Sequence, residues 1–434
     1  MFDRVRKVYA EFPGQFWTLT GATFIDQLGG ALLFPFFALY VTDHFGVGLT
    51  EVGILFFIFA SASVIGSLMG GALTDKLGRR WMLMFGLIFS ASSSLAMAFV
   101  DDLVIFYVLA AIVGLLSNAG GPAAQAMVAD LLPEEKVAEG YGMQRVSANL
   151  AVAIGPAIGG LLASQSFLWL FGIDAATSLI TAVIVFFTLP ETKPEATEEH
   201  PEESISQSLG GYKRVFKDRL FIAFLLISMV TVLIYTQLNS TLSVYLRDVH
   251  GVTLKQFGLL LSLNAAMVVM FQFWITRRIS KRSPMLMMAL GTALYGIGFV
   301  MYGIFGAMVF FVIAMIIITV GEMITVPVAQ ALVARFSPED MRGRYMAIYG
   351  FSWTIPFALG PLLAGLVIDN LDPRIVWYAA GVLSVIAVIG FLGLNPRVPA
   401  LVGPDVNGQS TPENVLEPQQ AMEIMLKVDP DDII

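Results

Sequence analysis

The most constraining feature of this sequence is a segment that returns 205 positions later. Val128-Ala129 in the first copy corresponds to Val333-Ala334 in the second, and Gly155-Pro156 corresponds to Gly360-Pro361. The match needs no gap, and the surrounding sequence is apolar in both copies. Such repeats are typical of membrane proteins whose functional sites form where two related halves meet. The chain is therefore predicted to consist of two related membrane halves.

Apolar runs of about 20 residues recur along the chain, and each is long enough to cross a bilayer as an α-helix. The chain is 57% hydrophobic and only 13% charged, and a soluble domain cannot bury that much apolar surface. Twelve spans are predicted, at roughly 14–42, 50–73, 81–100, 103–127, 141–164, 167–189, 220–246, 253–275, 284–303, 307–333, 345–368 and 374–395. The predicted fold is an all-α membrane protein with twelve transmembrane helices in two pseudo-symmetric six-helix halves.

Composition divides the chain into four regions. Residues 1–189 form the first half and residues 220–395 the second, with a predicted linker at 190–219. Residues 396–434 form an acidic tail that is predicted to be disordered. Residues 191–203 and the tail each carry a charge of −5, so together they account for more than the total charge of −8. The rest is slightly positive and has no basic patch with interleaved aromatic residues, so nucleic acid is not expected as a partner.

The distribution of lysine and arginine predicts the orientation of the chain. Eighteen of these residues lie at one set of span ends, whereas only Arg247, Lys255 and Arg374 lie at the other. Because positively charged ends remain in the cytoplasm, both termini and the linker are expected there. We expect a monomeric, multi-pass protein of the cell membrane, in contact with the lipid bilayer.

Several kinds of chemistry are excluded by residue content. The chain has no cysteine, and its three histidines lie in connections between spans. The sequence shows no cluster of metal-ligating residues, and no cofactor is expected. It also shows no combination of nucleophile and base typical of an enzyme, so an enzyme is not expected.

A distinctive motif lies between spans 2 and 3, where Gly71, Asp75, Gly78, Arg79 and Arg80 stand out. Glycine permits tight turns and close helix approach, and a carboxylate near helix ends caps backbone N–H groups or pairs with arginine. A cytoplasmic loop would explain the arginines alone, but not the acid and the glycines.

The segment 70–80 resembles the loop signature G-x-L-x-D-x-x-G-R-[KR] of the major facilitator superfamily, and the resemblance covers residues 14–395. A degraded copy, at 277–282, has lost the acid and the glycine. The resemblance implies a transporter that works by alternating access. It also implies that Asp75 ties the halves together on the cytoplasmic side while the cavity opens outward.

A second motif, at residues 155–160 in span 5, contains Gly155, Pro156, Gly159 and Gly160. Proline bends a helix, and small residues let a neighbouring helix approach closely. The motif is similar to the G-P-x-x-G-G signature of drug and proton antiporters in the same family. The alternative is ordinary packing of small residues, since glycine and proline are frequent in membrane helices.

Two acids lie deep within spans, Asp26 in span 1 and Glu322 in span 10. A carboxylate at that depth is costly and usually faces a cavity or a partner. Burial also disfavours the charged form of an acid, which suits reversible proton binding. In the family that the chain resembles, spans 1, 4, 7 and 10 line a central cavity, which would hold both acids. The alternative is a protonated acid that only bonds a neighbouring helix.

Arg145 and Asp174 are further candidates for proton coupling. Arg145 lies about one turn into span 5, where its side chain can also reach lipid headgroups. Asp174 lies about two turns into span 6 from the outside, and packing explains it equally well. Drug antiporters of the family usually carry an arginine in span 4, but residues 103–129 contain no charge. Either Arg145 takes that role or coupling uses acids alone.

These observations predict a secondary active transporter that exports lipophilic or cationic compounds in exchange for protons. The alternative on the same fold is a proton-coupled symporter of a metabolite, sugar or peptide. The motif in span 5 favours export. A membrane receptor or scaffold that transports nothing would need neither Asp26 nor Glu322.

Overall fold

The computed structural model describes residues 11–117, 120–193, 213–338 and 341–397. Within this part of the chain, twelve helical spans are long and apolar enough to cross a membrane, and no strand occurs. The predicted all-α membrane fold is confirmed. Most of the predicted linker and tail lies outside the described residues, so their properties stay predictions.

The spans are numbered in chain order, and two of them contain two helices because a break interrupts them. Their helices are Gly14–Leu33 and Phe37–Phe45 (span 1), Leu49–Leu77 (span 2), Arg79–Ala98 (span 3), Leu103–Ser117 and Gly120–Leu131 (span 4, described apart from 118–119), Glu134–Ala163 (span 5), Phe167–Thr188 (span 6), Arg219–Thr236 and Thr241–His250 (span 7), Leu254–Ile279 (span 8), Pro284–Ile304 (span 9), Met308–Phe336 (span 10), Arg342–Asn370 (span 11) and Ile375–Leu394 (span 12).

The repeat extends to the placement of the helices. Spans 7, 8, 9 and 10 each begin 205 residues after spans 1, 2, 3 and 4. Span 1 is interrupted by the 3₁₀ turn Phe34–Phe36, and span 7 is interrupted at the corresponding place by residues 237–240. Gly46 and Gly251, which end these two spans, both adopt a left-handed backbone conformation. The two halves are therefore copies in backbone as well as in sequence.

The connections between spans alternate between two faces of the bundle. On the first, Thr192 donates a hydrogen bond to Asp130 and Lys193 donates to the carbonyl group of Lys76. This face holds the 190–219 connection and is called the linker face. On the opposite face, His44 approaches the carbonyl oxygen of Val100 at 3.1 Å. The loops on each face thus contact one another and fix the ends of the spans.

The halves meet where span 2 packs on span 11 and where span 5 packs on span 8. A Cβ atom built on Gly258 would lie 2.7 Å from the Pro156 oxygen and 3.1 Å from the Cα atom of Gly160. A Cβ atom on Gly53 would lie 2.9 Å from the carbonyl carbon of Pro361. Only glycine permits these approaches, so backbone contacts backbone at both junctions.

Two polar contacts also join the halves at the opposite face. The Asp369 carboxylate, at the end of span 11, accepts hydrogen bonds from the backbone N–H groups of Leu49 at 3.1 Å and Thr50 at 2.6 Å. It thereby caps the first turn of span 2. Arg247 of span 7 donates to Thr42 of span 1 at 3.0 Å. The opposite face is closed in this structure.

Candidate functional site

Glu322 lies near the middle of span 10, among side chains of two neighbouring spans. Asn264 of span 8 donates a hydrogen bond to Glu322 Oε2 at 2.8 Å and a second one to Thr319 at 3.0 Å. The side chain of Tyr235, in span 7, lies beside this carboxyl group. Neutral partners therefore surround the acid, in keeping with the high cost of an unpaired charge at this depth.

A cavity of about 230 Å³ opens beside Glu322, between the two halves. We call it the central cavity. Span 1 contributes Phe34 and Pro35, at the 3₁₀ break, and span 5 contributes Pro156. The described residues that line it are mostly apolar, and none of them is basic. A carboxyl group facing such a cavity has no protein cation to neutralise it, and is therefore available to a proton or a bound cation.

The other predicted acids come together at the contact between spans 1 and 6. Ser178 donates a hydrogen bond to Asp26 Oδ1 at 2.6 Å. Asp174 precedes Ser178 by one helical turn, and a Cβ atom on Gly29 would lie 3.1 Å from Asp174 Oδ1. Gly29 follows Asp26 by one turn, so the two carboxyl groups occupy adjacent turns, about 5 Å apart along the helices. We call Asp26 and Asp174 the acid pair.

A cavity of about 1050 Å³ adjoins Asp26, and all but one of the residues that line it belong to the first half. Asp26, Gln27 and Arg145 all line this first-half cavity. Arg145 also donates a hydrogen bond to Gln330 of span 10 at 2.5 Å. Its guanidinium group therefore faces the interior and contacts the other half, and does not extend to lipid headgroups. Span 5 begins at Glu134, so Arg145 lies three turns from the start of a helix whose first residues extend beyond the apolar core.

The motif of span 5 contacts two different neighbours. Gly155 and Gly159 pack on span 1 of the same half, against Ala31 and Leu32. Gly160 faces the other half, where its Cβ atom would lie 2.9 Å from the Leu254 oxygen. Pro156 lies between them and exposes its carbonyl group to Gly258. One motif thus fixes span 5 within its half and also forms the junction between the halves.

The motif between spans 2 and 3 differs in form from the predicted loop. Span 2 continues to Leu77, so the backbone of Gly71 and Asp75 is helical, and Gly78 alone, with φ of 100°, makes the connection. The length of the apolar run predicts that span 2 ends at about residue 73. The helix is longer because it continues through the polar residues that follow the apolar run. The side chains of Gly71 and Asp75 lie outside the described residues, so the role predicted for Asp75 stays a prediction.

The rest of this motif is held by the end of span 6 and by span 4. Arg79 Nε pairs with Asp130 at 3.2 Å, and the Arg79 backbone N–H donates to Glu191 at 2.7 Å. The Arg80 guanidinium group lies over the Phe186 ring at 5.3 Å and donates to the Phe186 carbonyl group. The two arginines therefore brace the linker face of the first half.

Several residues of the candidate site and of the contacts between the halves were not identified from the sequence. Asn264 was one polar residue among many within spans, and only its contact with Glu322 distinguishes it. Tyr235 carries no signal in a sequence rich in aromatic residues. Asp369 lies at the end of a span, where a solvent-exposed acid is ordinary. The position of Ser178, four residues after Asp174 on the same helix face, is a signal that could have been used.

Comparisons with known proteins identify the family. The family model described as Major Facilitator Superfamily matches residues 19–355 and 310–425. An uncharacterised MFS-type transporter of Bacillus subtilis, YttB, is 28% identical over 86% of this chain and 94% of its own length. A Na⁺, Li⁺, K⁺/H⁺ antiporter of Planococcus maritimus is 27% identical over 76% of this chain and 84% of its own.

Two further comparisons extend this result. Multidrug resistance protein 1 of Bacillus subtilis is 29% identical over 47% of this chain and 51% of its own. Among solved structures, a single-site mutant of the nucleoside transporter NupG superposes with a TM-score of 0.76 at 15% identity, over 88% of this chain and all of that one. At that identity the likeness shows the fold alone. The chain belongs to the major facilitator superfamily and is a membrane transporter, not an enzyme.

Proposed function

We propose that this transporter is a proton-coupled antiporter that exports lipophilic cations by alternating access. The observation that carries the proposal is Glu322, a carboxyl group in the wall of a mostly apolar cavity between the halves. A lipophilic cation gains by burying its apolar surface there and by pairing with the carboxylate. The relation to a multidrug resistance protein supports the substrate class.

Exchange follows from competition for Glu322. If the substrate binds the ionised carboxyl group, its binding must displace a proton, and proton binding must in turn displace the substrate. Asn264 donates a hydrogen bond to this carboxyl group and Tyr235 lies beside it, so polar neighbours stabilise the ionised form during the exchange. The transported cation and the proton therefore never occupy the carboxyl group together.

The acid pair supports a second candidate function, monovalent cation/proton antiport. Two carboxyl groups on adjacent helical turns repel each other when both are ionised, and a proton or a bound cation relieves that repulsion. The hydroxyl group of Ser178 and the amide oxygen of Gln27, buried without a partner, are further hard oxygen ligands close to Asp26. The relation to the Na⁺, Li⁺, K⁺/H⁺ antiporter favours this alternative.

One experiment separates these functions. Purified protein in liposomes with an acidic lumen is given either radiolabelled tetraphenylphosphonium or ²²Na⁺. We expect tetraphenylphosphonium to accumulate and Glu322→Gln to abolish this accumulation. If ²²Na⁺ accumulates in its place, and is lost in Asp26→Asn and Asp174→Asn but kept in Glu322→Gln, the second function is correct.

The same assay tests the remaining alternative. A symporter would accumulate its substrate only in a lumen more alkaline than the medium. Uphill accumulation in the double variant Asp26→Asn/Glu322→Gln, with normal dependence on the gradient, would contradict coupling through these acids. Asp43→Asn, an exposed acid on the opposite face, is the matched control.

A further inference from the structure

A second, much smaller cavity lies on the other side of Tyr235 from the central cavity. Its volume is about 20 Å³, and it is lined by spans 7, 9, 10 and 11 of the second half. We call it the chamber. Tyr235 lines both cavities, and Glu322 lines the central cavity beside it. Tyr235 therefore separates the chamber from Glu322.

The chamber lies nearer to the linker face than Glu322 does. Ala329, in its wall, is seven residues closer to the end of span 10, or about 10 Å along the helix. Trp353 of span 11 forms another part of the wall and is 39% exposed. The chamber thus occupies the depth between Glu322 and the surface on the linker side.

The walls of the chamber carry hydroxyl groups in unusual number for the interior of a membrane protein. Ser228 is 2% exposed, and its hydroxyl group has no hydrogen-bond partner among the described residues. Thr231 lies 3.3 Å from Thr292, and Tyr295 lies 2.9 Å from Thr325. A buried hydroxyl group without a partner is costly, and a single water molecule bonded to it in a space of this size would remove the cost.

We propose that the chamber binds one water molecule and that this water and Tyr235 form a proton route between the linker face and Glu322, separate from the central cavity. Ser228, Thr231 and Tyr235 supply the two to four polar partners that a buried water requires. The inference rests on the proposed function in one respect, namely that Glu322 takes up and releases the coupling proton.

The proton transfer balances at each step. A proton from solvent on the linker side binds to the chamber water, which passes a proton to the Tyr235 oxygen. The hydroxyl proton of Tyr235 moves to a carboxylate oxygen of Glu322 as the O–H bond breaks. Tyr235 and the water are unchanged, and Glu322 has gained one proton. Release of the proton follows the reverse order.

Separate routes have a mechanistic advantage. A lipophilic cation that fills the central cavity blocks water on that side of Glu322. The proton that this cation displaces can still leave through Tyr235 and the chamber. Substrate binding and proton release therefore do not obstruct each other.

The proposal is tested with Tyr235→Phe, which removes the relaying hydroxyl group, and with Ser228→Val, which fills the chamber with methyl groups. Tyr302→Phe is the matched control, since Tyr302 is buried in the same half but bonds Phe311 outside the chamber. The first measurement is made on purified protein after a pH jump. The rate at which the carboxylic C=O band of Glu322 appears is followed by infrared spectroscopy, with Glu322→Gln identifying the band.

We expect this rate to fall about tenfold or more in Tyr235→Phe and Ser228→Val, as for loss of a positioned proton-transfer group, and to be unchanged in Tyr302→Phe. Wild-type rates in both variants would overturn the proposal. The second measurement is counterflow of tetraphenylphosphonium at equal pH, which needs no net proton transfer. It should stay within twofold of the wild type, and a parallel loss of counterflow would indicate a structural defect in place of a lost route.

These measurements distinguish two failures. If Glu322→Gln leaves proton-driven accumulation intact, the proposed function is wrong. The rate at which the carboxylic C=O band of Glu322 appears still tests the proton route through the chamber. This rate reports protonation of Glu322 whether or not transport depends on it.

Discussion

Gly53 and Gly258 are 205 residues apart in the chain, and each packs against the proline of the repeated Gly-Pro motif in the other half. Gly53 meets Pro361 and Leu362, while Gly258 meets Pro156 and Gly160. The junctions between the halves are therefore two copies of one contact. Both lie towards the opposite face, where Asp369 and Arg247 add polar contacts that have no copy.

Gly258→Ala should favour opening of the opposite face. The added methyl group would lie 2.7 Å from the Pro156 oxygen, closer than backbone can tolerate without moving. Gly350→Ala is the control, because nothing lies within 4 Å of that position. Spin labels at Gln165→Cys and Gly306→Cys, in a chain without native cysteine, report the separation of the halves. A distance distribution unchanged from the parent would show that this junction does not limit opening.

Asp369→Ala should weaken the closed state without affecting substrate binding. The carboxylate caps span 2 across the boundary between the halves, and loss of such a cap costs about 1 kcal/mol, or about a fivefold shift in population. The same spin-label pair measures this shift. Asn370→Ala is the control, since Asn370 bonds only Leu366 of its own helix. Equal populations in the parent and in Asp369→Ala would show that Asp369 does not hold the opposite face closed.

The linker face should be cytoplasmic. A single cysteine replacing Ser204, in the predicted linker, should react with a membrane-impermeant maleimide only in inside-out vesicles. A cysteine replacing Gly251, at the opposite face, should react only in intact cells. The physical reason is the excess of lysine and arginine on the linker side. The reversed labelling pattern would invert the orientation and, with it, the direction of transport.

Asp75→Asn should slow transport while keeping substrate affinity nearly unchanged. Asp75 lies near the linker-face end of span 2, far along the helix from the central cavity. Turnover and tetraphenylphosphonium binding are measured on the same preparation, with Asp102→Asn on the opposite face as the control. A variant that turns over at the rate of the parent would exclude Asp75 from the conformational cycle.

The fold was predictable because residues related by the repeat also make corresponding packing contacts. The offset that aligns Gly155 with Gly360 also relates their contacts, since Gly155 meets Ala31 and Gly360 meets Thr236, 205 residues further on. Span number and the approximate bounds follow from apolar length. The ends of span 2 and the start of span 5 were missed because polar residues continue these helices beyond the apolar core.

The candidate site was less predictable because its charges do not repeat. Asp26 corresponds to Thr231, Asp174 to Ala379 and Glu322 to Ser117. Asp26 and Glu322 were identified from depth alone, but the approach of Asp174 to Asp26 depends on how spans 1 and 6 rotate against each other. No periodicity in a single sequence fixes that rotation. The same limit hid Tyr235, whose importance lies in the two cavities that it separates.

The paired glycine junctions also determine how the halves can move. If each half moves as a rigid body, these two points of backbone contact, related by a pseudo-twofold axis, are the fulcrums about which rocking would widen one face and narrow the other. Glycine offers no side chain to interlock, so sliding at these points meets little friction. The polar contacts of Asp369 and Arg247 are then the contacts that must break before the halves separate at the opposite face.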